Sequence, residues 1–356
     1  MEKFLSAQGK TDELEQFMSD IFPTQVCLNE EEQDAFRLLA EELAGLDPVT
    51  DTEQFVMTAQ LLSSRLPERI RRAALNFRRN GDPSGGMLIR NLPVDPLPPT
   101  PDHADYGRGI RLPAARVFSL ASALVGEQFG FQPELAGQII QDILPVAGFE
   151  DTQQSISSRA LLELHCETVF TEYRADVIGL LCLRPDPERI ARTVLAPTSV
   201  LLPLLDSRIL EVLSELRFYT TVDGSFLRGS GLTDPILIGP VRVLDGDPKR
   251  PRIRCDFAET RGLDAEAQAA LDTLYAVASE AVIDTRLEAG DLLLIDNHDA
   301  FHGRSSFRYH GNGEDRWLLR TFITKDLSRS RVHRPGDGRI VDTDYAAGSN
   351  VLALNV

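Results

Sequence analysis

GDLLLIDNHDAFHGRSSF occupies residues 290–307. Its LLLI run is the pattern of a strand buried on both faces, and the polar DNHD that follows predicts a turn. His302 is expected in that turn, which Gly303 ends. Outward from this stretch, short apolar runs split by turn residues recur. They are QIIQDILPV (138–146), DVIGLLCLRP (176–185), RTVLAPTSVLL (192–202), GPVRVLD (239–245), RIRCDFAE (252–259) and WLLRTFITKD (317–326). Helices are expected to interrupt them near 206–217 and 264–280. Before residue 130 the pattern is mostly helical. Residues 29–47 predict an amphipathic helix capped by Asn29 and stopped near Gly45, followed by helices over 52–66, 68–78 and 113–129, the last with Pro113 in its first turn. GGMLIRNLPV (85–94) reads as a short strand, 95–112 as loop, and 1–28 as an arm or extra helix. Many short strands behind a helical layer predict a mainly β barrel or sandwich with helices on one side.

Composition narrows the partners. The 356 residues are 42% apolar and 26% charged, as in an ordinary globular protein, with a formal net charge of −17. Such a charge repels nucleic acid and anionic membrane surfaces, and predicts neither as a partner. No run of 18 apolar residues and no signal-like N-terminus is present. The four cysteines have no CxxC spacing, so a reduced, cytoplasmic protein is expected. GxGxxG, GxxxxGK[ST] and GxSxG motifs are absent, which removes support for dinucleotide, P-loop and serine-hydrolase readings. The sequence sets no oligomeric state.

LLELHCETVF (161–170) places His165 and Glu167 two residues apart, on one face of a strand. With His302 they offer two imidazoles and one carboxylate. That set leaves metal positions open for a chelating co-substrate and dioxygen, and it selects ferrous iron over structural zinc. A rival lies within HDAFH, where His298 and His302 are spaced as a helical zinc pair. The immediate Gly303 leaves little room for a helix, so His298 is expected in a turn beside the site. His103, His310 and His333 are expected in loops or at the surface. Arg316 and Arg320, four apart in DRWLLRTFITKD, share a strand face. Two inward arginines each need an anion, which 2-oxoglutarate and a substrate carboxylate can supply.

The stretches LHCETVFTEYRADVIGLLCLRPD, IDNHDAFHGRSSF and DRWLLRTFITKDLSRSR resemble the clavaminate synthase-like iron(II)/2-oxoglutarate oxygenases. The resemblance is strongest to the free amino acid hydroxylases that act on arginine, lysine, citrulline and asparagine. It covers roughly residues 30–335 and implies a double-stranded β-helix, or jelly roll, with flanking helices. It implies one catalytic domain over 1–356: a helical layer over 1–130, a jelly-roll core over 131–335 and a tail over 336–356. By position it makes His165, Glu167 and His302 the iron ligands, and Arg316 with Thr193 the 2-oxoglutarate carboxylate site. It gives Arg320 the substrate α-carboxylate, puts Glu134 near the α-amino group, and puts Gln153 and Ser155 in a covering loop. The implied reaction hydroxylates a side-chain carbon, C3 or C4 with C4 preferred, of a free L-amino acid, using iron(II), 2-oxoglutarate and dioxygen.

One departure bears on the substrate. Arginine and lysine hydroxylases usually carry two acidic residues near RIRCDF, whereas this chain has Arg254 and Asp256, with Asp223 a further acidic candidate. An arginine beside an aspartate can satisfy both the carbonyl and the N–H groups of a ureido head, and would repel a guanidinium. L-citrulline is therefore expected, ahead of L-arginine or L-lysine. A carrier-bound amino acid is disfavoured because it has no free α-carboxylate to offer Arg320.

Overall fold

The computed structural model describes residues 23–101 and 108–345. His103, the first 22 residues and the last part of the expected tail lie outside the described residues. Two sheets face each other. The larger runs in the order Thr24–Cys27, Gly86–Arg90, Leu292–Asp296, Val177–Arg184, Trp317–Thr324, Glu127–Phe131 and Ile340–Val341, with Gln141–Ile143 also paired to Trp317–Thr324. The smaller runs Ile283–Thr285, Thr193–Pro197, Ala300–Arg304 and Leu162–His165. From Leu162–His165 to Thr193–Pro197, and again from Ile283–Thr285 to Trp317–Thr324, sequence neighbours alternate between these two sheets, as a jelly roll requires.

Period-two alternation divides two cores. Leu293, Ile295, Leu318 and Phe322 pack between the sheets. Leu292, Leu294, Trp317, Leu319 and Ile323 pack against the helices behind the larger sheet. Both faces of these strands are thus apolar, which explains why LLLI is continuous rather than alternating. Each such fully buried side chain contributes about 2 kcal/mol of burial free energy. Behind the sheet lie helices Glu30–Glu41, Thr52–Ser63, Glu68–Asn80 and Pro113–Ser122. Asn29 caps the first of these by accepting from the Glu32 N–H, and the Glu32 carboxylate accepts from the Asn29 N–H in return. Further on, helices Ser207–Leu213 and Ala265–Glu280 occupy the two predicted places. Among the described residues no helix is long and apolar enough to cross a membrane.

Local expectations fail in four places, each for a packing reason. The helix expected over 113–129 stops at Ser122, and Glu127–Phe131 joins the larger sheet. Gly126 makes the switch possible, because a Cβ there would lie 2.4 Å from the Thr324 carbonyl oxygen. RTVLAPTSVLL leaves its strand at Pro197 and turns helical over Thr198–Leu201. The strand in RIRCDFAE ends at Ile253. His302 lies within the strand Ala300–Arg304 rather than in the preceding turn, so Gly303 is a strand glycine. A Cβ on Gly303 would come within 2.7 Å of the Leu162 carbonyl oxygen.

Candidate active site

Antiparallel register sets His302 directly opposite His165 at the edge of the smaller sheet. Their rings lie 4.3 Å apart between centroids. Glu167 follows just past the end of its strand, where the backbone is held from two sides. The Cys166 N–H donates to the Cys255 carbonyl, and the Glu167 N–H donates to Asn297 Oδ1 at 2.8 Å. Asn297 Nδ2 in turn donates to the carbonyls of Glu167 and Ala175. This fully buried asparagine in the IDNHD turn was not singled out from the sequence, although a polar residue directly after a doubly buried strand is the available signal.

One ligand atom from each of His165, Glu167 and His302 falls within 4.8 Å of the others. His165 Nδ1 bonds the Glu163 carbonyl at 2.8 Å, which leaves its Nε2 lone pair free. Burial, and then the neighbouring His165, push the His302 imidazole down to about 4, so it is neutral at pH 7. His302 Nδ1 is a buried polar atom with no partner among the described residues. Burial pushes the Glu167 carboxyl up, but Arg320 and the two histidines outweigh it and hold the group well below the usual carboxylate range. Two imidazoles and an ionised carboxylate fit iron(II) with open positions opposite. His298 is not part of this cluster. It sits in the turn, where it donates from Nε2 to Asp176 Oδ1 at 2.9 Å and accepts at Nδ1 from Arg174. The residues that follow it are strand, so the helical zinc pair does not form.

The triad opens onto a cavity of about 840 Å³. Arg316 and Thr193 stand in its wall, both buried. Arg316 makes no ion pair with a described residue. Burial lowers the pKa of its guanidinium, and its planar group faces the Phe307 ring at 5.7 Å. Thr193 is the cross-strand partner of Arg304. Leu318 and Arg320 continue the face begun by Arg316, as a period of two requires. Arg320 donates to Glu134 Oε1 at 2.6 Å, to Gln141 Oε1 and to Glu167 Oε1 at 2.9 Å. Burial raises the Glu134 pKa despite that arginine, and Glu134 Oε2 has no hydrogen-bond partner within geometric reach among the described residues.

Gln153 and Ser155 border the cavity. Gln153 is tied to the metal strand, donating to the Leu161 carbonyl and accepting from the Glu163 N–H. Asp223 and Asp256 line the cavity, together with Glu259 and Glu163, which the sequence reading missed. Burial raises both aspartates, Asp223 well above the usual carboxylate range, with Asp256 the next cause. Among the described residues neither aspartate is ion-paired to a lysine or arginine.

Arg254 does not face the cavity. Its Nε donates to the Val169 carbonyl at 2.5 Å, and burial followed by Arg174 pushes it down to about 10. Because the strand ends at Ile253, the expected alternation fails. The Arg254 N–H turns to the Val243 carbonyl while Asp256 bridges to His165. Positions 254 and 256 therefore do not share a face.

The model of the family described as "Taurine catabolism dioxygenase TauD, TfdA family" matches residues 83–322. L-asparagine oxygenase of Streptomyces coelicolor is 37% identical over 294 residues, 82% of this chain and 86% of that protein. The crystal structure of asparagine oxygenase with Fe(II), (2S,3S)-3-hydroxyasparagine and succinate superposes with a TM-score of 0.83 at 34% identity, covering 90% of this chain and 99% of that one. The non-haem iron oxygenase OrfP, in complex with Fe, succinate and (3S)-hydroxy-L-Arg, has a TM-score of 0.77 at 31% identity, covering 89% and 99%. The chain belongs to the TauD/TfdA family, as a jelly-roll iron(II)/2-oxoglutarate-dependent dioxygenase of the amino acid hydroxylase group.

Proposed function

We propose that this enzyme acts as a single catalytic domain and hydroxylates a free L-amino acid with a cationic side chain, L-arginine first. The carrying observation is the pair of carboxylates at Asp223 and Asp256, which lie in the cavity wall with no lysine or arginine paired to them. A guanidinium or ammonium supplies the missing charge, and its loss of water is offset by two carboxylates at once. L-citrulline is the second reading. Its ureido N–H groups can still donate to the aspartates, but the arginine meant for its carbonyl, Arg254, is turned to Val169.

His165, Glu167 and His302 hold iron(II) in this reading, and the bound metal with 2-oxoglutarate and dioxygen supplies the oxidising chemistry. Arg316 and Thr193 fix the far carboxylate of the co-substrate. Arg320 takes the α-carboxylate and Glu134 the α-amino group, so a free amino acid replaces the internal ion pair these two residues now form. A carrier-bound thioester cannot make that exchange. Gln153 and Ser155 close over the substrate and exclude water. Together these contacts present a C–H bond at C3 or C4 to the metal. The 3-hydroxyasparagine held by asparagine oxygenase and the (3S)-hydroxy-L-Arg held by OrfP support C3, and the (3R,4R)-dihydroxy-L-Arg also held by OrfP is compatible with C4.

The test is succinate release with a panel of L-amino acids. L-Arginine is expected to exceed L-citrulline and L-asparagine by about tenfold in kcat/KM, the worth of roughly one charge-assisted contact. A preference for either neutral amino acid overturns the cationic reading.

A further inference from the structure

Arg304 takes no part in the roles assigned above, yet it is buried in the cavity wall two residues from His302. Its guanidinium lies 4.9 Å from the Phe307 ring centre, and that of Arg316 lies 5.7 Å from the same ring. Two cations thus share one aromatic ring. Neither has a carboxylate partner among the described residues. Among the described residues the hydrogen-bond partners of Arg304 are neutral, and most belong to the covering segment. It donates to the Ser157 carbonyl, to Ser157 Oγ at 3.0 Å and to the Ala160 carbonyl at 2.8 Å. The Phe307 N–H adds a bond to the Ser158 carbonyl. Within the segment, the N–H groups of Ser158, Arg159 and Ala160 all converge on the Glu150 carbonyl. Gln153, Gln154, Ser155 and Ile156 of this segment line the cavity.

We propose that Arg304 is a positioning residue that couples binding of 2-oxoglutarate at Arg316 to ordering of residues 150–160 over the amino acid. This rests on the reading of Arg316 as the co-substrate's carboxylate partner. The physical basis is charge. Without an anion the two guanidinium groups repel each other in a poorly screened site, which loosens Arg304 and the loop it holds. A carboxylate at Arg316 removes that repulsion, and Arg304 then holds Ser157 and Ala160 firmly. The co-substrate is thereby made to precede the amino acid, since the amino acid's cover forms only once the oxidant's partner is in place.

Hydrogen exchange of residues 150–160 tests the coupling, in full-length protein loaded with ferrous iron under anaerobic conditions, with and without 2-oxoglutarate. Dialysis with labelled 2-oxoglutarate measures its binding in parallel. In the unaltered protein 2-oxoglutarate is expected to slow exchange of this segment about tenfold, a shift within the range of local opening equilibria. Arg304→Gln should bind 2-oxoglutarate within about threefold of the unaltered protein and lose the protection. Arg304→Lys keeps the charge but cannot span three acceptors, so it should lose most of the protection and serves if the glutamine variant does not fold. Retained protection in both variants overturns the proposal. Loss of 2-oxoglutarate binding as deep as in Arg316→Gln also overturns it, because Arg304 is then a direct ligand. Binding without protection in the unaltered protein removes the coupling and leaves the proposed function standing. No binding at all removes the proposed function itself, and the coupling with it.

Discussion

His302→Ala and His165→Ala are each expected to abolish turnover and iron binding, whereas His298→Ala keeps both and lowers the melting temperature through the lost Asp176 and Arg174 contacts. Activity and metal content of the three variants check this. Arg316→Ala should raise the KM for 2-oxoglutarate, and Arg320→Ala the KM for the amino acid, each by about 30-fold, the equivalent of about 2 kcal/mol for a buried charge-assisted pair. Equal effects on one co-substrate contradict the assignment. Asp223 adds a pH dependence. Its folded-state pKa is raised, so its contribution to stability is present at low pH and lost as pH rises through that value. A cationic amino acid binds the ionised form, so its KM should fall with rising pH and its thermal stabilisation should grow. A neutral amino acid should show neither trend. Melting curves across mildly acidic to alkaline pH, with L-arginine and L-citrulline, separate the two. The ligand residues were legible as a histidine and a carboxylate two residues apart and a second histidine after a buried run, although Glu167 lies past the end of its strand and is held by Asn297 rather than by strand alternation. Arg254 was misread because a strand period was extended past Ile253, where hydrogen bonds to Val243 and Val169 end it.

At the scale of elements, the turn between Leu292–Asp296 and Ala300–Arg304 carries more than a change of direction. Asn297 ties it to the backbone of Glu167, so strand, turn and metal carboxylate form one hydrogen-bonded unit. Asn297→Ala leaves the Glu167 N–H and two carbonyls without partners. It should reduce iron affinity about tenfold, as loss of groups that orient metal ligands does. It should also cost about 2 kcal/mol of stability. Iron titration and chemical unfolding measure the two, and unchanged iron affinity with lowered stability confines Asn297 to a structural role. Leu292–Asp296 was readable as a strand from its apolar run, whereas Ala300–Arg304, expected as turn, was not. Strand ends were not readable, because they depend on partners far away in sequence. At Gly126 the neighbouring Thr324 backbone sets where the strand begins, and at Gly303 the neighbouring Leu162 backbone keeps a glycine inside the strand that the local pattern reads as turn.

Across the whole molecule, the apolar faces of the larger sheet explain why a site this polar can be held still. One core fixes the helices behind the sheet and the other fixes the two sheets, so that Trp317–Thr324 delivers Arg316 and Arg320 to a cavity it does not itself fill. Fold and metal chemistry were legible in the sequence because they reside in contiguous motifs on buried strands. The substrate side chain was not, because Asp223 comes from one loop and Asp256 and Glu259 from another, and only the packed structure shows that they meet. The proposed reaction is an iron(II)- and 2-oxoglutarate-dependent hydroxylation of a free cationic amino acid. Turnover of L-arginine with 2-oxoglutarate, ferrous iron and isotopically labelled dioxygen tests it most directly. One labelled oxygen is expected in succinate and one in the amino acid, both lost in His302→Ala. Labelled succinate with no label in any amino acid product would contradict it.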